Sequence, residues 1–285
     1  MDYREIEVAP VAGALGAEIG GVDLAGPLGN SVFSEIHRAF LEHRVIFFRG
    51  QKLTPSGQRD FAARFGPCNR YPFVAGLEEC PEVIPVIKEP DETFNFGGLW
   101  HSDTTYLEKP PLGTLLYAVE TPPHGGDTLF ANTKLAYDAL SDGMKAALAG
   151  LRGLSSAKIR YAEAGRAGQF VKFKGAMTAI GLDKEETLEA WHPVVRTHPD
   201  TGEKALYLNR AHTMRFEGWT EAESRPWINW LCKHIARPEF TCRFRWEPGS
   251  VALWDNRCTH HFALNDYHGY RRHMHRCTIE GDRPS

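Results

Sequence analysis

The chain has 285 residues, 33 Lys+Arg against 36 Asp+Glu, a formal net charge of −3, and 42% hydrophobic and 24% charged residues. Those values exclude a disordered or fibrous protein, and near-neutral charge gives no electrostatic attraction to nucleic acid or to an anionic membrane surface. The length fits one large domain or two small ones; with no repeat, low-complexity tract or Pro/Gly/Ser linker to divide it, the chain reads as a single domain over residues 1–285. No apolar run approaches the roughly 18 residues that span a bilayer, and Met1-Asp2-Tyr3-Arg4-Glu5 lacks a secretory n-region. Six cysteines (68, 80, 232, 242, 258 and 277) are scattered and never form Cys-x-x-Cys. This spacing argues against a thiolate zinc site and a dense disulfide framework, and places the protein in a reducing compartment, the cytoplasm.

Apolar spacing at Val32, Ile36, Ala39 and Phe40 predicts a helix from Val32 to His43, running into a strand Arg44–Phe48. Thr54-Pro55 opens a second helix, with a hydroxyl cap and proline at the first position, ending near Phe65-Gly66. A third helix is expected from Leu135 to Leu151. A fourth begins at the capping box Thr220-x-x-Glu223, with Trp227, Trp230, Leu231 and Ile235 on one face. Phe240, Cys242, Phe244 and Trp246 alternate with polar residues, as in a strand with one buried face. Val251–Trp254 and Arg271–Ile279 read as further strands, and Pro199-Asp200-Thr201-Gly202 as a turn between two more. Short strands dominate the back half, which points to a mainly β sandwich or barrel with peripheral helices.

Three places carry chemistry. In Trp100-His101-Ser102-Asp103, extended backbone puts residues i and i+2 on one side, so His101 and Asp103 face one cavity. One imidazole and one carboxylate, joined by an imidazole from a distant strand, make a facial triad suited to non-haem Fe(II). Taken alone, His-x-Asp is more often incidental. Later, Trp254-Asp255-Asn256-Arg257-Cys258-Thr259 leads to His260-His261, whose side chains point to opposite faces, so at most one of them joins a metal. Arg272, Met274 and Arg276 share one strand face, opposite Arg271, His273 and His275. Two guanidiniums in a metal-holding cavity are costly without anions, which suggests two small anionic molecules; structural ion pairs with Asp or Glu are the plain alternative. Gly125-Gly126-Asp127 reads as a turn, and nothing local assigns Thr128 a role.

These residues resemble the taurine dioxygenase and phenoxyacetate-herbicide dioxygenase family of Fe(II)/2-oxoglutarate-dependent oxygenases. The similarity runs through Gly16-Ala17-Glu18-Ile19, Gly21-Val22-Asp23-Leu24 and Arg64-Phe65-Gly66. It continues through Trp100–Asp103, Gly125–Thr128, His192-Pro193-Val194-Val195, Trp254–Arg257 and Arg272–Ile279, in the family's order. The resemblance implies a double-stranded β-helix (jelly roll), with Fe(II) held by His101, Asp103 and His261 and with His260 outside the ligand set. It also implies 2-oxoglutarate as co-substrate, its distal carboxylate on Arg272 and Thr128, with O2 as oxidant and succinate and CO2 as co-products. Arg276 then contacts the anionic group of a small organic substrate, a sulfonate, sulfate ester, phosphonate or carboxylate, and the chain assembles as a homodimer or homotetramer. Asp103 argues against halogenation, because related halogenases lack that carboxylate. Where taurine-specific members carry a sulfonate-binding histidine, an asparagine and a pocket phenylalanine, this chain has Tyr71, Gly97 and His212. The expectation is a different anion, with Tyr71 and His212 as polar selectors. A zinc hydrolase and a non-catalytic jelly-roll binding protein are the competing classes; the missing His-Glu-x-x-His, the paired arginines and the complete triad count against them.

Overall fold

The computed structural model describes residues 3–158, 177, 178, 180 and 188–285. Its larger sheet contains β1 (Glu7–Pro10), β2 (Ala17–Gly20), β3 (Val45–Phe48), β4 (Cys68–Asn69), β5 (Val83–Lys88), β6 (Gly113–Glu120), β14 (Val251–Asp255) and β16 (Arg272–Ile279). The order is β1-β2-β3-β14-β6-β16-β4, with β5 also paired to β16. A smaller sheet, β13 (Thr241–Phe244), β7 (Thr128–Asn132) and β15 (Thr259–Ala263), faces it. Phe47, Leu116, Trp254 and Met274 from the large sheet share one core with Phe130, Cys242 and Phe244 from the small one. At its centre the Phe47 and Phe244 rings stack 3.9 Å apart, and Phe130 approaches both Phe47 and Trp254. This is the double-stranded β-helix expected above.

All four residues of β3 are buried, where a sheet with one wet face would alternate. Val45 and Phe47 enter the core between the sheets, whereas Ile46 and Phe48 meet the helices α1 (Asn30–His43) and α2 (Pro55–Ala62) on the outer face. α1 buries Ile36, Ala39 and Phe40 there and ends at Arg44, whose φ of +67 turns the chain directly into β3. α2 starts on the Thr54 hydroxyl cap, as the sequence indicates, but stops at Ala62 and reaches Phe65 through turns.

The predicted helix Leu135–Leu151 is two helices, α3 (Thr133–Asp138) and α4 (Asp142–Leu148). Asn132 and Ser141 each cap a new N-terminus through the side-chain oxygen, and capping at Ser141 outcompetes continuation. α5 (Glu221–Ile235) carries the full capping box, yet its buried stripe is Ser224, Ile228, Leu231, Cys232, His234 and Ile235. Trp230 lies beside that stripe, 48% exposed and stacked on His234, so its place on the buried face is corrected. Phe240 belongs to a 3-10 turn and Trp246 lies beyond the end of β13, yet Phe240, Cys242, Phe244 and Trp246 all keep the expected alternating burial. The remaining strands, β8 (Arg152–Ser156), β9 (Glu189–Pro193), β10 (Val195–Thr197), β11 (Lys204–Leu206) and β12 (Thr213–Phe216), form two small flanking sheets.

Candidate active site

His101 and His261 form an isolated antiparallel bridge and exchange both backbone hydrogen bonds, at 3.1 and 2.8 Å. Their rings lie 4.2 Å apart. Ser102, between His101 and Asp103, points the other way and donates to the Thr259 carbonyl, so the alternation read from the sequence holds here. Only His101 is paired, however; Asp103 opens a turn. Asp103 Oδ1 stands 3.7 Å from His101 Nε2 and 3.8 Å from His261 Nε2. One ligand atom from each of the three buried residues falls within a mutual span of 4.8 Å. His101 Nδ1 lies 2.6 Å from the Leu99 carbonyl; a carbonyl only accepts, so Nδ1 carries the proton and Nε2 presents its lone pair. His260 points away and is buried, and that burial pushes its imidazole pKa down to about 3.

Arg276, 4% exposed, places Nη2 2.8 Å from Asp103 Oδ1. Burial by itself raises the Asp103 carboxyl; Arg276, then His261, His101 and the Thr114 hydroxyl, outweigh it and hold the group well below the usual carboxylate range. Arg276 thus pairs with a protein carboxylate beside the cluster, the plain alternative weighed from the sequence. Arg272 differs. It is 5% exposed, and its Nε and Nη2 have no hydrogen-bond partner among the described residues. Burial lowers its pKa. Thr128 completes this end: its Oγ1 accepts from the Trp246 indole N–H at 2.9 Å, which leaves the hydroxyl proton free for an anion. Gly126 lies against Arg272 and Tyr267; Gly125 and Gly126 both have positive φ, and with Asp127 they form an irregular lead into β7 rather than the turn expected of them.

His101, Asp103, His261, Thr128, Arg272 and Arg276 open onto one cavity of about 440 Å³ of empty space, part of it continuous with solvent. Its apolar walls include Val86, Phe96, Leu116 and Trp254. Tyr71 and His212 stand behind this wall. The Tyr71 ring underlies Arg276 at 4.8 Å, and His212 sits edge-on to His101 at 6.3 Å with Nδ1 3.0 Å from Thr105 Oγ1. The sequence signalled neither Thr114, Trp246 nor Asn256 as site residues. Their roles depend on contacts across strands, although Trp254-Asp255-Asn256-Arg257 marks the neighbourhood.

A second buried group, His198, Asp255 and Cys258, also has metal-like proximity. Its hydrogen bonds are complete. His198 Nδ1 accepts from the Asp200 and Thr201 amides, so Nε2 donates to Asp255 at 2.9 Å. Arg257 gives Asp255 three further bonds, at 2.7–2.9 Å. This is a structural ion pair. Asp255→Ala is expected to destabilise the fold by up to about 3 kcal/mol, because buried Arg257 loses its contacts to Asp255 and keeps the exposed Asp200, 2.6 Å from Nη1; urea unfolding at neutral pH measures it. Burial opposes ionisation of Asp255, but Arg257 and His198 hold its pKa below the usual range. The stabilisation is therefore present above the unfolded value of about 3.9 and lost as pH falls through the folded one, so wild-type and variant stabilities converge in acid.

A family model described as taurine catabolism dioxygenase TauD, TfdA family matches residues 7–278. The chain belongs to this family. It is 35% identical over 287 residues to the alpha-ketoglutarate-dependent sulfate ester dioxygenase of Pseudomonas putida, covering 98% of this chain and 91% of the relative. A crystal structure of a taurine dioxygenase from Burkholderia xenovorans superposes with TM-score 0.82 and 36% identity, covering 99% of this chain and 91% of that one. AAD-2, crystallised with Mn(II) and N-oxalylglycine, superposes with TM-score 0.78 and 27% identity over 98% of both chains. The protein is accordingly a 2-oxoglutarate-dependent dioxygenase that uses Fe(II) and O2. The residues present fit those groups: converging neutral imidazole and carboxylate donors for the metal, and an arginine with two unpartnered buried nitrogens for a carboxylate. No helix among the described residues is long and apolar enough to cross a membrane.

Proposed function

We propose that His101, Asp103 and His261 hold Fe(II), that Arg272 and Thr128 bind the distal carboxylate of 2-oxoglutarate, and that the oxidised substrate is a small organic anion. The observation that carries this reading is Arg272, a buried cation with two orphaned donors in the cavity that also holds the triad. Bound Fe(II), 2-oxoglutarate and O2 supply the oxidising chemistry, with succinate and CO2 as co-products. The chain's own part is placement. His101 Nε2 and Asp103 Oδ1 are pre-set by their partners, Thr128 is left as a donor by Trp246, and Phe96, Leu116 and Trp254 exclude water from the reacting side.

Arg276 is the substrate-side cation. It is anchored on Asp103 and backed by Tyr71, and an incoming sulfate ester, sulfonate, phosphonate or carboxylate shares its guanidinium. Tyr71 and His212 select indirectly, Tyr71 through Arg276 and His212 through the ring beside His101. Gly97 offers no side chain; a Cβ there would be in van der Waals contact with Ala263 Cβ at 3.6 Å and His101 Cε1 at 3.8 Å, so the position supplies no amide where taurine-specific members carry one. Taurine is therefore disfavoured as the substrate, although it belongs in the assay panel because a similar structure bears its name. The reading includes one domain over 1–285, a homodimer or homotetramer, and a cytoplasmic location supported by six unbridged cysteines, five of them buried.

The experiment is a succinate-release screen over organic anions that differ only in head group, in wild type and Arg276→Ala. The expected result is preference for anionic over uncharged analogues in wild type, with that ranking collapsed in the variant. An unaltered ranking contradicts anion recognition by Arg276.

A further inference from the structure

We propose that Thr114, held by Asn256 and Trp254, is the positioning residue that fixes which oxygen of Asp103 is offered to the metal. The inference rests on the reading of Asp103 as an iron ligand and adds a residue that the sequence pattern leaves unmarked.

The geometry settles every donor and acceptor in the chain. The Trp254 indole N–H can only donate, and it does so to Asn256 Oδ1 at 3.0 Å. This fixes the orientation of the Asn256 amide, so Nδ2 is the group that donates to Thr114 Oγ1, at 2.9 Å. Having accepted there, the Thr114 hydroxyl turns its own proton to Asp103 Oδ2, at 2.7 Å. Asp103 Oδ2 is thereby occupied, and Oδ1 is the oxygen facing both His101 Nε2 and His261 Nε2. Thr114, Asn256 and Trp254 are each 2% exposed or less, so no bulk water replaces a lost partner.

The same amide also holds the main chain. Asn256 Oδ1 accepts from the Asp103 backbone N–H at 3.3 Å, just before Thr104, whose φ of +40 is strained for a β-branched residue. Strand register explains how the parts meet. Thr114 on β6 pairs directly across from Trp254 on β14, so the two side chains share the face turned to the cavity. Asn256 follows β14 by one residue.

Without the hydroxyl, the Arg276 guanidinium, 2.8 Å from Oδ1, still bears on the carboxylate, but Oδ2 is released and can turn toward the metal, so ligation loses part of its pre-set geometry. Thr114→Val keeps the shape and removes both hydrogen bonds of the hydroxyl, the one donated to Asp103 and the one accepted from Asn256, whereas Thr114→Ser keeps them. The experiment measures Fe(II) affinity anaerobically by chelator competition, together with the Tm of each metal-free protein. Thr114→Val is expected to weaken Fe(II) binding by about 10- to 100-fold, the range typical for loss of an outer hydrogen-bond partner, and without metal to melt below Thr114→Ser because buried Asn256 Nδ2 loses its acceptor, so affinities are compared below both midpoints. Thr114→Ser is expected to stay within about threefold of wild type, well short of that range. Thr114→Ala, read the same way, takes the place of valine if the valine variant does not fold. Wild-type affinity in Thr114→Val, or equal losses in the valine and serine variants, overturns the proposal. If Thr114→Val binds normally while Asp103→Ala loses iron, the ligand reading stands and only the Thr114 role falls; if Asp103→Ala keeps iron, both fall.

Discussion

Loss of iron and of 2-oxoglutarate turnover together is the expected result of His101→Ala, Asp103→Ala or His261→Ala, with His260→Ala keeping its iron. The three residues supply one donor atom each within a 4.8 Å span, and a site of three protein ligands does not hold its metal in working geometry on two. His260, one residue from His261, points into a different packed region, and its burial keeps it neutral without giving it access to the cavity. Asp103→Ala also removes the carboxylate 2.8 Å from the buried Arg276 Nη2, so it lowers stability as well as ligation. The histidine variants leave the Arg276–Asp103 pair in place, so they test ligation without removing that pair. Metal content after anaerobic reconstitution, read beside succinate release, checks the result. Undiminished turnover in Asp103→Ala without added ligand contradicts the assignment.

Arg272→Ala is expected to weaken 2-oxoglutarate binding by about 2–5 kcal/mol, the cost of leaving a buried carboxylate without its charged partner. The guanidinium is nearly inaccessible, sits 5.8 Å from the Trp246 ring and, among the described residues, has two nitrogens without hydrogen-bond partners and no ion pair. Removing it also relieves a buried charge, so the metal- and co-substrate-free variant is expected to be no less stable than wild type. Arg272→Lys recovers only part of the affinity, because an ammonium cannot supply the planar fork. Anaerobic titration of the Fe(II) protein with 2-oxoglutarate, followed by its charge-transfer absorption, measures both variants. Wild-type affinity in Arg272→Ala contradicts the role.

The difference between the two arginines was only half legible in the sequence. Their shared parity on β16 places both on the inward face, and the structure bears this out. Parity does not say which cation has a protein partner. Asp103 is distant in sequence from Arg276 and meets it only because an unpaired turn, not a strand, brings it to the cavity. The same limit applies to Tyr71 and His212: a matching position predicts proximity to the site, but ring packing against Arg276 and His101 is what sets them behind the wall. Helix ends failed for a local reason. The run Leu135–Leu151 keeps apolar spacing through Ser141, and only the competition between a capping hydroxyl and the next helical turn breaks it. Trp230 failed for another: period alone puts it near the stripe of Leu231 and Ile235, but it sits at the edge of that stripe, stacked on His234 and 48% exposed. His101-x-Asp103 and Arg272-x-x-x-Arg276 were legible because strand geometry converts spacing into direction.

The most direct test of the central claim is an iron-edge anomalous difference map from crystals grown anaerobically with Fe(II) and 2-oxoglutarate. The account predicts a single strong peak bounded by His101 Nε2, Asp103 Oδ1 and His261 Nε2, with the distal carboxylate of 2-oxoglutarate on Arg272 and Thr128. A peak at His198, Asp255 and Cys258, or 2-oxoglutarate seated away from Arg272, contradicts it.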